Sequence, residues 1–323
     1  MEGFESKPDI EAIRLRRRRR TLWRRIRSLG VLLLTISLVA AFLFSPWGPW
    51  SGVFFSAHEK SENADVQQPE GQAPGEATEA AQTDFTQTEN DTASGGGRAS
   101  DPIPPTIAIV VDDVGLDAAN LEKWLMVDAP ITFSALPYCA AVPELAESLY
   151  GAGFRIMLHI PTENEPPRSF SANGQIAVGM SRETVFSTLD GDLATVPHVT
   201  GINNHQGGRG CNDLQLMTYE CEWARERGLF VMDSDSSTHS QVTTAAQSLG
   251  FPRRESQVFI DHHNEPESIR SQMHRLAAIA RQEGTAIGIC HFHRPNTPSV
   301  IGEMIRTLRA EGIHFAFVED IHN

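Results

Sequence analysis

The residues able to do chemistry in this 323-residue chain stand where apolar runs end. Ile107-Ala108-Ile109-Val110-Val111 closes on the adjacent pair Asp112-Asp113, and Arg155-Ile156-Met157-Leu158 closes on His159. Val199–Ile202 leads into Asn203-Asn204-His205, Leu229–Met232 into Asp233, Val258–Ile260 into Asp261, and Ala286–Ile289 into Cys290-His291. Short apolar runs rich in β-branched residues read as buried parallel strands. In α/β folds the residues at the carboxyl ends of such strands share one edge, where active sites are built. Burying an unpaired ionisable group costs several kcal/mol, so six such positions argue for a site. Neighbouring carboxylates repel one another, so a cation, a shared proton or open water must offset the pair; a metal ion would hold one as ligand and leave the other free for proton transfer.

Imidazole combined with carboxylate suits zinc and related first-row ions. The assignment made from strand-end position is Asp113, His159 and His205 as ligands, with an open position where a bound ion lowers the pKa of water towards 7. Asp112 is then the general base and His291 the general acid. Asp233 and Asp261 are expected to orient imidazoles from behind, with Asn204 supporting the ligands or meeting substrate. Arg209 and Arg294 could take a carboxylate of a ligand through a bidentate fork. His262, His263 and His293 read as rim residues. No dinucleotide fingerprint, Walker loop or G-x-S-x-G elbow competes with this reading.

The elements that must position these side chains alternate. Helical patterns are read from Asp117 to Leu125 and over Pro143–Tyr150, Ser181–Leu193, Leu214–Arg227, Gln241–Leu249, Glu267–Glu283 and Val300–Glu311, with a last strand at His314–Val318. Repeated strand–helix units imply parallel pairing with right-handed crossovers. The prediction is an α/β domain over 105–323, a distorted (β/α) barrel of about seven to eight parallel strands, with a doubly wound open sheet as the alternative.

The first hundred residues are of another kind. Residues 1–28 hold ten of the 27 Lys and Arg, leaving 17 basic against 37 acidic residues beyond, about −20 net. An acidic body repels phosphate, which excludes nucleic acid as a partner. From Leu29 to Phe44 no residue is charged, and Trp47 and Trp50 follow. Arginines before and tryptophans after an apolar segment predict an uncleaved membrane anchor over 29–50, behind a basic cytoplasmic segment, 1–28. The catalytic domain then lies in the periplasm on a single-pass inner-membrane protein. Residues 51–104 read as a disordered acidic tether. Cys139, Cys211, Cys221 and Cys290 allow three pairings between which sequence does not choose.

Val111-Asp112-Asp113-Val114-Gly115, Met157-Leu158-His159-Ile160-Pro161, Gly201–Gly207, Met232-Asp233-Ser234, Phe259-Ile260-Asp261 and the Ile289–Thr297 segment occur in an order that resembles the divergent polysaccharide deacetylase family. The resemblance implies the barrel of the glycoside hydrolase/deacetylase superfamily, a divalent metal, usually zinc, and an exported, envelope-facing protein. It implies Asp112 as base, Asp113 as metal ligand and His291 as the late histidine that assists the transition state. The expected function is therefore metal-dependent removal of acetyl groups from an N-acetylated envelope polysaccharide, peptidoglycan or a related glycan. The alternative is an inactive barrel that binds glycan or cell-wall remodelling proteins. A glycosidase fits less well, because adjacent residues on one strand are poorly placed to flank a sugar bond.

Overall fold

The structure, a computed structural model, describes residues 104–165 and 173–321. The basic segment, the anchor and nearly all of the tether expected from the sequence lie outside the described residues. Among those that are described, no helix is long and apolar enough to cross a membrane.

Strands and helices alternate along the chain: β1 (Thr106–Val114), α1 (Leu121–Met126), β2 (Thr132–Ala135), α2 (Val142–Gly151), β3 (Arg155–Thr162), α3 (Arg182–Thr195), β4 (Val199–Gln206), α4 (Leu214–Glu226), β5 (Phe230–Val231), α5 (Val242–Ser248), β6 (Val258–Phe259), α6 (Pro266–Glu283), β7 (Thr285–His291), α7 (Thr297–Ala310) and β8 (His314–Ala316). The eight strands form one sheet in the order β5-β4-β3-β2-β1-β7-β6, and every pairing is parallel. β8 joins the first half of β1, at Thr106–Ala108, while β2 joins its second half. The two outer strands are two residues long. They are linked by one parallel bridge, in which Asp233 N–H donates to the Arg254 carbonyl at 2.8 Å and Ser256 N–H to the Asp233 carbonyl at 3.0 Å. The result is a curled parallel half-barrel whose two ends are bridged by the single pair Asp233 and Glu255.

Local chemistry sets the boundaries. Ser181 and Asp213 cap α3 and α4 by accepting from the N–H groups of Thr184 and Leu216. Pro266 begins α6, and Gly284, at φ 88°, ends it in a conformation that other residues resist. The helices cover the outer face of the sheet, where Trp124, Phe133, Phe154, Trp223 and Phe292 are fully buried.

The inner face carries a second, smaller cluster made of Ala108, Val110, Met157, Met232, Ile287, Ile289, Val318 and Ile321. It plugs the barrel below the site. Side chains two apart on a strand share a face, so the inward rows continue upward from Val110 to Asp112, from Met157 to His159 and from Ile289 to His291. On β4 the inward row is Gly201, Asn203, His205. A Cβ at Gly201 would run into the Phe230 ring, so only glycine fits beneath the site there.

The sequence reading places the polar residues just after the strands. Four of the positions instead lie inside them, since β1 runs to Val114, β3 to Thr162, β4 to Gln206 and β7 to His291. The correction matters because strand alternation then decides which neighbours face the lumen. Asn204, between two inward residues, faces outward. Its amide donates to Glu220 Oε2 of α4 at 2.8 Å and to Thr162 Oγ1 at 3.0 Å.

Glu220 is fully buried there, and burial pushes its carboxyl up to about 8, with the Asp233 charge adding to the rise and the Asn204 hydrogen bond opposing it. The unfolded chain releases this proton near the ordinary carboxylate value, while the native state keeps it to about pH 8. Stability from this group is therefore complete below about pH 4 and declines as pH rises towards 8, by up to ~1.4 kcal/mol per pH unit. The Glu220→Gln variant should show a thermal midpoint that falls less between pH 5 and 8 than that of the wild type in parallel calorimetric scans.

Candidate metal centre

The aspartate pair shares one face only because the strand is irregular. Between Val111 and Val114 the register of β1 against β2 slips: Val111 faces Phe133, but Val114 faces Ala135. Asp113 sits in this bulge at φ 62°, a left-handed conformation uncommon for residues other than glycine, asparagine or aspartate. The extra residue turns the second carboxylate inward beside the first, and both are buried. Strain of this kind persists where the surroundings enforce it and gathers at functional sites.

Asp113, His159 and His205 meet at this point, their ligand atoms all within 4.8 Å of one another. Asp113 Oδ1 lies 3.1 Å from His205 Nδ1 and 3.4 Å from His159 Nε2, and the two imidazole nitrogens are 3.2 Å apart. One carboxylate oxygen and two imidazole nitrogens converging in this way suit a divalent cation.

Asn203 makes the histidine available. Its Nδ2 donates to Asp112 Oδ1 and to Ser234 Oγ, each at 2.9 Å. The amide oxygen therefore faces His159 Nδ1, at 2.9 Å, and also accepts from Ser134 Oγ. An acceptor at Nδ1 requires that nitrogen to carry a proton, so that in the neutral ring it is the Nε2 lone pair that is aimed at the triad.

Electrostatics point the same way. Burial pushes Asp113 up, but hydrogen bonds from His159 and His205 and the charges those rings can carry outweigh it and hold the group well below the usual carboxylate range. For His159, burial pushes the pKa down, and Asp112 and Asp113 more than reverse the effect. Both shifts say that positive charge is favoured at the triad. Asp112 moves upward, because burial exceeds the opposing influence of His159, His291 and the Asn203 hydrogen bond.

His291 stands across from Asp112, its register partner on β7. Asp261 holds it twice, Oδ1 facing His291 Nδ1 at 2.8 Å and Oδ2 accepting from the His291 backbone N–H at 2.8 Å. Thr297 Oγ1 donates to Asp261 Oδ2 at 2.9 Å. Burial lowers the His291 pKa, but Asp261 and the more distant aspartates raise it further, so the ring ends above its ordinary value. The partly exposed Phe259 ring lies 4.9 Å from the His291 ring.

Not every residue singled out from the sequence joins the centre. Asp261 orients an imidazole, whereas Asp233 does not. Its oxygens accept from the Asp235 N–H, Ser240 Oγ and the N–H and Oγ1 of Thr243, so it caps the start of α5 instead. Asn204 belongs to the outer face. Arg209 pairs with Glu163 at 2.8 Å on the exposed rim. Arg294 comes just after β7, and its buried Nε has no hydrogen-bond partner among the described residues. Sequence reading misses Asn203 and Ser134, and puts His293 on the rim although its Nδ1 is 3.6 Å from Asp113 Oδ2. A signal for Asn203 is present, two positions before His205 on one strand. The four cysteines are free, and three of them are buried.

The model of the divergent polysaccharide deacetylase family matches residues 109–322, and the chain belongs to that family. The Escherichia coli (strain K12) protein YibQ is 28% identical over 202 residues, covering 62% of this chain and 63% of YibQ. A protein of Haemophilus influenzae (strain ATCC 51907 / DSM 11121 / KW20 / Rd) is 32% identical over 206 residues, covering 62% of this chain and 71% of its own length. The chain thus spans less than two thirds of YibQ. The crystal structure of ATU2773 from Agrobacterium tumefaciens C58 superposes with a TM-score of 0.63 at 24% identity, covering 68% of this chain and 89% of that one, and shares the fold.

Removing either imidazole should disable the cluster. Each of His159→Ala and His205→Ala is expected to bind less divalent metal per chain than the wild type after dialysis, measured by elemental analysis; equal metal content in all three would rule the cluster out as the site.

Proposed function

We propose that this protein is a metal-dependent deacetylase of N-acetylated envelope glycan, with zinc at Asp113, His159 and His205. The observation that carries the proposal is the pairing of a buried carboxylate, Asp112, with an Asp261-held imidazole, His291, its register partner on the neighbouring strand, next to a cluster suited to a divalent ion. When bound, such an ion polarises a carbonyl oxygen and acidifies water. Asp112 takes the proton of the attacking water as the new C–O bond forms, with Asn203 fixing its other oxygen. His291, whose protonated form Asp261 favours, passes its proton to the departing amine as the C–N bond breaks. The products are acetate and a free amino sugar. Arg294, with an unsatisfied Nε, would meet a carboxylate on the glycan. The sequence pattern of 1–104 supports an anchored, periplasmic placement of this domain.

Full-length protein loaded with zinc, cobalt or manganese should release acetate from peptidoglycan or chito-oligosaccharides. No release with any of these metals would overturn the proposal in favour of a glycan- or partner-binding barrel. Asp112→Asn should lower kcat by roughly 10²–10⁴-fold while leaving bound metal unchanged. Asp261→Asn removes the charge that raises the His291 pKa. Less of the acid form then survives at a given pH, so the descending limb of the kcat/KM profile should move to lower pH.

A further inference from the structure

We infer that His293 is a positioning residue of the metal centre, donating from Nδ1–H to the oxygen of Asp113 that faces away from the other two ligands. The inference rests on the metal reading above and adds to it a residue that the Asp113–His159–His205 cluster leaves out.

The two oxygens of Asp113 face different neighbours. Oδ1 faces the nitrogens of His205 and His159. Oδ2 faces His293 Nδ1 at 3.6 Å, about half an ångström beyond a hydrogen bond. That nitrogen is buried and has no hydrogen-bond partner among the described residues. A buried polar atom without a partner costs roughly 1–3 kcal/mol, and the charged acceptor that faces it is Asp113 Oδ2. Carboxylates that bind metals are characteristically held by a second hydrogen bond, and His293 is placed to provide it.

The backbone supports the placement. Between His291 and His293, Phe292 points into the outer core, its ring 6.2 Å from Phe133 in an edge-on contact. Its N–H donates to the Asp112 carbonyl at 2.9 Å, and its carbonyl accepts from Asn120 Nδ2 at 3.1 Å and Trp124 Nε1 at 3.3 Å. With the middle residue fixed on both sides, the flanking histidines are directed towards the site. His293 cannot join the ion at its present position, since it lies outside the group whose ligand atoms are mutually within 4.8 Å. Its reach is to the carboxylate, holding Asp113 so that Oδ1 is presented to the cluster.

Substitutions separate the donor from the bulk of the ring, because an asparagine amide nitrogen can occupy the place of Nδ1 and a glutamine nitrogen that of Nε2. Metal-free full-length protein would be titrated with zinc against a chromophoric chelator. His293→Ala and His293→Gln are expected to weaken zinc binding by about 10-fold or more, and His293→Asn to stay within about threefold of the wild type. Tight binding by both His293→Ala and His293→Gln would overturn this inference alone. So would loss of affinity in His293→Asn equal to that in His293→Gln. Wild-type protein that takes up no zinc would overturn the metal reading, and this inference with it.

Discussion

Two carboxylates on consecutive residues, both buried at one end of a curled parallel sheet, repel one another, and the repulsion has to be offset by positive charge or by a proton on one of them. The surroundings of Asp112 and Asp113 answer that constraint. His159 and His205 crowd Asp113, His291 faces Asp112, and the pKa of His159 rises despite burial because the aspartates favour a charged ring. In the absence of a cation, protons on imidazole supply the charge. A divalent ion supplies more of it at the same point and frees the rings to act as neutral ligands. The carboxylates that favour a protonated ring would favour a divalent cation for the same reason.

The barrel serves this constraint through strand alternation and one deliberate exception to it. Regular pleating delivers Asp112, His159, Asn203, His205 and His291 to the inner face, each two residues beyond an inward neighbour. It also keeps the oily plug of Val110, Met157 and Ile289 directly beneath them, so water is excluded from below. Alternation would turn Asp113 outward. The bulge at Val111–Val114 and the left-handed backbone of Asp113 overcome that, at the cost of local strain. Removing the bulge would leave one inward carboxylate, enough for a base or for a ligand but not for both.

Much of this is legible in the residues themselves. The order of apolar runs implies the curled parallel α/β sheet, and the polar residues closing them name the cluster of Asp113, His159 and His205 and the Asp261–His291 pair. The rest depends on where strands end. Asp233 and Asp261 each come after an apolar run by the same logic, yet one caps a helix and the other holds a histidine, because β5 and β6 are too short for spacing alone to fix the direction of a side chain two residues further on. Sequence favours Asn204 over Asn203 because the apolar run of β4 stops at Ile202. Extending the strand to Gln206 exchanges their faces. The role of His293 depends on Phe292 being anchored in the outer core, a tertiary contact with no local sequence signature.

Asn203 ties these parts together. One amide accepts from the Nδ1 of His159, a candidate metal ligand, and donates to Asp112, the carboxylate proposed as base. An amide oxygen cannot donate and an ionised carboxylate can only accept, so with Asp112 ionised the orientation of the amide and the nitrogen of His159 that carries the proton are one choice rather than two. Protonating Asp112 would weaken the bond that orients Asn203 and loosen the tautomer that presents Nε2. The base and the ligand are thereby coupled through a residue that touches neither ion nor substrate, and a site of this kind is organised by its hydrogen bonds before any ligand arrives.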